Sequence, residues 1–258
     1  MIRMALHQAA YDLRAFLRNR QSQFFTLALP VLFLVIFASL FGGTGHTVLV
    51  AGGRISTSVY YVPGIITLGI IAASFGNLVA SVTAQRERGV LKRRRATPVP
   101  ASAIIAGRAL TAIVIAVVMA AILLGIGWAA YSADIPWRTA LALAVTVIIG
   151  AASFCCLGYA LTSLVHNEDA ALPSTQAILL PLYFISGVFV SVTILPRWLA
   201  DVGNVFPVRH LANALLTAYN PHTTGLGFAG QDLLIVAAWG IAGLLFALRK
   251  FSWLPLSR

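Results

Sequence analysis

The sequence predicts an all-α integral membrane protein with six transmembrane helices. Hydrophobic residues make up 59% of the 258 positions and charged residues only 10%, whereas a soluble domain carries about 25% charge. The apolar residues gather in long runs with almost no charge. The 18 Lys and Arg and the 7 Asp and Glu, for a net charge of +11, lie mostly between those runs. A soluble globular enzyme is excluded, because it needs charge over its surface. Disorder is excluded by the hydrophobicity. A basic balance can signal nucleic acid, but the charge here is sparse and no aromatic platform accompanies it.

The chain opens on an expected interfacial helix over residues 1–22. Met4, Leu6, Ala9, Leu13, Phe16 and Leu17 recur at roughly helical spacing, with Arg3, Asp12, Arg14 and Arg18 on the more polar side. Such a helix lies in the membrane plane with its arginines toward anionic lipid. The first span is Phe24–Phe41, uncharged and long enough to cross about 30 Å of hydrocarbon; Pro30 is tolerable there. A cleaved signal peptide fits poorly, since about twenty residues precede the run and Phe41-Gly42-Gly43 is a poor cleavage site.

Five further runs follow: Val59–Ala84, Ala103–Ala130, Thr139–Val165, Leu172–Ile194 and Leu226–Leu248. They are too long for the strands of an outer-membrane barrel. Six spans leave no room for a second folded unit, so residues 1–258 read as one transmembrane domain. Arg108 and Asp232 are the charges inside runs, each near a run's start, where a side chain can snorkel to the interface. Pro181 and Gly187 break the fifth run. The stretch 195–219 is apolar but punctuated, and suits short external helices with Trp198 at the interface.

The basic residues set the orientation. Fourteen of the 18 fall in the N-terminal segment, the loop after the second span with Arg108, and the C-terminal segment. By the positive-inside rule both termini are cytoplasmic, and an even span count agrees.

Chemistry is sparse. No phosphate-binding loop ending in Gly-Lys-Ser/Thr occurs. Cys155 and Cys156 lack partners at metal-ligand spacing and read as packing residues. The five histidines are scattered. No carboxylate sits mid-span, which weakens a proton-coupled transporter. We therefore expect no catalytic residue, cofactor or metal in this chain. Asn77 and Ser81 give the second span a modest polar set, for helix contacts or a cavity face. Pro181, Tyr183, Phe184, Ser186 and Gly187 mark a kink in the fifth span. These seven residues are the candidates for the translocation path.

The cytoplasmic loop 85–100 combines Arg86, Glu87, Arg88, Gly89, Val90, Leu91 and Lys92 with Arg93, Arg94 and Arg95, and Pro98 and Pro100 stop any helix. A topology anchor needs only a few arginines. A short helix with an acid and an apolar pair suits docking to a cytoplasmic partner, and the arginine run also suits lipid head groups. A transporter of this kind lacks its own motor and needs an ion gradient or a partner that binds ATP. The missing mid-span charges speak against the gradient.

The segment Glu87-Arg88-Gly89-Val90-Leu91-Lys92 with Ala96-Thr97-Pro98 resembles the post-second-span segment of ABC-2 type permeases, in the style of the daunorubicin-resistance membrane proteins of actinobacteria. Ser186-Gly187-Val188-Phe189, Pro196-Arg197-Trp198-Leu199 and Phe206-Pro207 resemble that family's late signature. The resemblance implies the membrane subunit of an ATP-driven exporter in a bacterial cell membrane. It implies two ATP-binding cassette subunits that hold ATP and Mg, and a second permease copy. It places the coupling helix at about 86–95, with Glu87 and Arg88 in polar contacts and Val90 and Leu91 as anchors. The cargo it implies is a lipophilic or amphipathic small molecule, with antibiotic or drug efflux the nearest role. A lipid-linked glycan is the alternative cargo, and a non-transporting scaffold or sensor the alternative class.

Overall fold

The computed structural model describes residues 2–41, 47–50, 52–95, 101–131 and 133–250. Five helices are long and apolar enough to cross a membrane: Arg20–Phe41, Thr57–Glu87, Ala103–Tyr131, Trp137–Thr162 and Gly230–Lys250. In chain order the α-helices are α1 (Ile2–Arg18), α2 (Arg20–Gln23), α3 (Leu29–Phe41), α4 (Thr57–Ile71), α5 (Asn77–Glu87), α6 (Val90–Arg95), α7 (Ala101–Tyr131), α8 (Ala140–Thr162), α9 (Glu168–Ile185), α10 (Arg197–Gly203), α11 (Pro207–Tyr219) and α12 (Gly230–Lys250). Short π turns at Phe24–Ala28 and Ala72–Gly76 join α2 to α3 and α4 to α5. The protein is thus an all-α polytopic membrane protein, apart from one hairpin at the end of α3. There β1 (Thr47–Val50) pairs antiparallel with β2 (Gly53–Ser56), from Thr47↔Ser56 to Val50↔Gly53.

The second span is the hub. Val62, Ile65, Ile66, Ile70 and Ile71 on α4 have no exposure. This helix is apolar all round, the mark of a helix with protein on every side. It packs against α3, α7 and α11. The first and last spans sit at the rim, where Leu32, Val35, Ile36 and Leu40 on α3 and Leu234, Ile241 and Leu248 on α12 are exposed. A soluble protein rarely shows so much continuous apolar surface; a lipid-facing one requires it. Helices α8 and α12 pack along much of their length. A Cβ at Gly240 would lie 2.7 Å from the Ser153 side chain, and one at Gly243 2.9 Å from that of Leu157. Small residues on the seam let two backbones approach, as in other membrane helix pairs.

Three expectations need correction. The uncharged run Leu172–Ile194 is not one helix. Asn167 caps α9 by accepting from the Ala170 amide at 2.8 Å, Glu168 and Asp169 fill its first turn, and the helix stops at Ile185. Beside the five long apolar helices among the described residues, α9 is shorter and carries charge in its first turn. Arg108 does not snorkel: it turns inward to Asp12 and Ser81. Asp232 does not snorkel either, but bonds His210 at 2.6 Å.

Within the segment expected to be an interfacial helix, α1 runs over Ile2–Arg18 and packs on α7. Ala9 and Phe16 are buried against the bundle, while Met4, Leu6, Tyr11 and Leu17 stay exposed. Its seat on α7 is Gly107, where a Cβ would lie 2.7 Å from Gln8. The short helices expected over 195–219 form as α10 and α11, and α11 is largely buried.

Candidate functional site: a basic end and a folded-back loop

One end of the bundle gathers α1, the α5–α6 turn and the start of α9. Helix α5 ends with Gly89 in the left-handed region, φ 67°. The Gly89 amide donates to the Arg86 carbonyl at 3.1 Å and the Arg88 amide to that of Ala84 at 3.1 Å. A glycine there ends a helix without the steric cost of a Cβ. Helix α6 starts at once, and the chain turns sharply.

The predicted coupling residues separate into two groups. Arg86 is fully buried. It donates to the carbonyls of Thr162 at 2.6 Å, Val165 at 2.5 Å and His166 at 3.3 Å. These are the orphan carbonyls past the end of α8, where a cation also meets the negative end of the helix dipole. Leu91 is buried too, in a small cluster with Leu78, Val82, Cys155, Tyr159 and Ala247. Arg86 and Leu91, read from the sequence as partner contacts, thus serve the inside of the chain. Glu87 is half-buried, with one carboxylate oxygen lacking a partner. Gly89 and Val90 are also half-buried. The exposed members are Arg88, Lys92 and Arg93. Arg88 pairs with Glu168 at 2.8 Å across the turn; this exposed pair is worth at most about 1 kcal/mol. Residues 96–100 of the predicted loop lie outside the described residues.

A buried polar chain lies just behind. Gln8 donates to Asp12 at 2.9 Å, Arg108 Nε lies 3.5 Å from the same carboxylate, and Arg108 Nη1 donates to the Ser81 hydroxyl at 2.8 Å. The Arg108 and Asp12 side chains are 10% and 9% exposed, so they count as an inward pair. Ser81, a predicted path residue, is thereby a strut between α5 and α7. Asn77 is half-buried beside the π turn.

At the opposite end the predicted kink is a helix stop and a folded-back loop. Gly187 has φ 84°, and Val188 and Phe189 turn back into the bundle and are buried. Tyr60 donates to the Gly187 carbonyl at 3.0 Å and Tyr61 to that of Phe189 at 3.4 Å. The Phe189 ring stacks on Phe37 at 5.2 Å and meets the edges of Tyr183 and Phe184 at 5.7 and 5.4 Å. The structure therefore brings Tyr183, Phe184, Ser186 and Gly187 together, with Tyr183 buried and Phe184 and Pro181 exposed. Ser186 is buried, and its hydroxyl has no partner. It borders a cavity of about 170 Å³ with Tyr60, Pro63 and Asn213.

The loop is held tightly, which yields an expected result. A Cβ at Gly64 would lie 2.8 Å from the Val188 carbonyl, and one at Gly187 3.0 Å from Val192. Gly187→Leu adds a left-handed penalty of about 1–2 kcal/mol and overpacking of similar size. Such a variant should melt several degrees lower in detergent, and a double change with Ser186→Leu should fall further. Unchanged melting would mean that the loop is not packed as described.

Two pairings escaped the sequence reading. His210 bonds Asp232, and its other ring nitrogen lies 2.8 Å from the Asn204 carbonyl. Asp12 pairs with Arg108. Charges at the ends of apolar runs are the only signal, and it does not name the partner. Among the described residues no three His, Cys, Asp or Glu side chains group as a metal site.

Buried helices and an exposed apolar rim define a polytopic membrane protein. The chain belongs to the ABC-2 type transporter family, whose profile matches residues 9–219. It is similar to the proteins named "Probable multidrug ABC transporter permease YbhR" of Escherichia coli strain K12 and of Escherichia coli O157:H7, 30% identical to each over 140 residues. That stretch is 54% of this chain and 38% of each relative, so this chain covers well under half of their length.

Proposed function

We propose that this chain is the membrane subunit of an ATP-driven exporter, that two copies line the path, and that two separate ATP-binding subunits dock on α6. The observation that carries this is the geometry of α6. It is anchored inward by Leu91 and presents Lys92 and Arg93 outward. It joins through Gly89 to a continuous helix, Thr57–Glu87, that is the hub of the bundle. A push on α6 reaches α4 along that helix, α8 through Arg86, and α1 through Ser81 and Arg108. Closure of ATP-loaded subunits has different contacts with the two arrangements of the permease, and that difference shifts the equilibrium.

Both termini are cytoplasmic in this reading, with the basic end inside a bacterial cell membrane and α9 as a short sixth span. The cargo is a lipophilic or amphipathic small molecule, which suits the aromatic cluster of Phe37, Phe184 and Phe189. The resemblance to daunorubicin-resistance permeases and the multidrug names of the relatives support drug efflux.

Because Leu91 is internal, the direct test leaves the helix in place. Lys92→Glu with Arg93→Glu, co-expressed with the ATP-binding subunit, should insert normally and reduce co-purification of that subunit by about tenfold or more, as expected for two reversed interface charges. Full co-purification would sink the docking assignment. Vesicles holding both subunits should take up lipophilic dyes only with ATP.

A further inference from the structure

At the hairpin end three segments meet: β2 with the start of α4, residues 134–139 before α8, and Tyr219–His222 at the end of α11. They enclose a pocket of about 480 Å³. Its lining residues include Arg54, Arg138, Asp134 and Tyr219. Tyr219 is 3% exposed, and its hydroxyl has no hydrogen-bond partner. Burial, and next the Asp134 charge, push this phenol well up, so it keeps its proton and remains a donor without an acceptor. Leaving such a group unpaired is unfavourable, and a ligand that accepts from it removes that cost. Arg138 donates once, to the Thr223 carbonyl, and a guanidinium has further donors to offer. No ion pair forms from Arg54, Arg138 or Asp134 among the described residues.

Two cationic forks and one neutral donor suit the oxygens of a phosphate. The single carboxylate suits a primary ammonium. The wall beside the pocket is apolar and open. Trp137 is 79% and Leu141 67% exposed, and Ala144 and Ile148 continue the exposed row along α8. Residues so spaced share one helix face, and an exposed tryptophan at a span's end belongs at the membrane interface.

We propose that this pocket holds the head group of a zwitterionic aminophospholipid. The phosphate lies toward Arg54, Arg138 and the Tyr219 hydroxyl, the ammonium toward Asp134, and an acyl chain along Trp137 and Leu141. A soluble phosphate ester has no use for that open row, so the lipid is the source. The pocket lies at the far end of α8 from Arg86, and the inference stands apart from the transport reading.

The test is native mass spectrometry of the full chain in micelles doped with phosphatidylethanolamine, phosphatidylcholine or phosphatidylglycerol of matched acyl chains. Phosphatidylethanolamine should be retained about fivefold or more over the other two, because only it supplies both the phosphate and a hydrogen-bonding ammonium. Tyr219→Phe, which removes only the hydroxyl, should lower that retention severalfold with little change in melting temperature. Arg138→Gln should lower retention of every phospholipid. Asp134→Asn should abolish the preference over phosphatidylcholine. Equal retention of the three lipids by the wild-type protein overturns the proposal. So does unchanged phosphatidylethanolamine retention in both Tyr219→Phe and Arg138→Gln. Soluble phosphoethanolamine that competes at the concentration of the whole lipid overturns the lipid as occupant.

Discussion

Arg86→Ala should destabilise the bundle by about 2–4 kcal/mol, since it strips a charged donor from up to three carbonyls. The cost arises at the end of α8, 76 positions away in sequence. At about 2–4 °C per kcal/mol for a chain of this size, the melting point in detergent should fall by several degrees and more. Arg86→Lys should recover only part of the loss, because one ammonium cannot reproduce the forked guanidinium. The variant also separates two roles. If Arg86 were a partner contact, Arg86→Ala would melt like the wild-type protein and lose only the ATP-binding subunit. Melting of the isolated chain decides between them.

Asp12→Ala should cost about 3–5 kcal/mol, because it leaves the Arg108 guanidinium inside the fold without its counter-charge. The effect should concentrate on α1, which the Asp12–Arg108 pair and the Thr111–Ala9 hydrogen bond of 3.2 Å hold to α7. Hydrogen exchange should rise across Ile2–Arg18 and remain low in α4. Replacing both partners, Asp12→Leu with Arg108→Met, should restore much of the stability, since a buried ion pair exchanged for apolar groups is often neutral. Equal loss in the single and double variants would show that the pair has no special part. With stability restored, a remaining loss of ATP-driven uptake would assign this strut to coupling as well as to folding.

Much of the architecture is legible in the amino-acid order. The runs Phe24–Phe41, Val59–Ala84, Ala103–Ala130 and Thr139–Val165 each fall within a few residues of a long helix. The cost of placing polar groups in hydrocarbon is local and adds along the chain, so a run of apolar residues reveals itself. The break at Gly187 is legible for the same kind of reason: a left-handed turn favours glycine wherever the rest of the chain lies. What replaces the expected kink is less so. Nothing local says that Val188 and Phe189 fold back under Tyr60 and Tyr61, because those contacts join positions 127 and 128 apart.

The same distinction governs the candidate sites. The stretch Arg86–Lys92 marks itself by composition, but the one coupling helix expected over 86–95 is split at Gly89 into the end of α5 and α6. Nor could the direction of each side chain be read. Arg86 is in the last turn of α5 and Arg88 just past its end, yet the first enters the bundle and the second meets Glu168 at the surface. The sequence by itself determined the membrane-spanning class, the apolar segments and the segment that carries the basic end, because hydropathy and charge are properties of neighbouring residues. Only the tertiary structure decided that Arg86 and Leu91 hold the chain together, that Asp12 faces Arg108, and that Tyr219 shares a pocket with Asp134 and Arg138. Each of those facts depends on which helix face meets which neighbour, and packing between distant segments alone sets that.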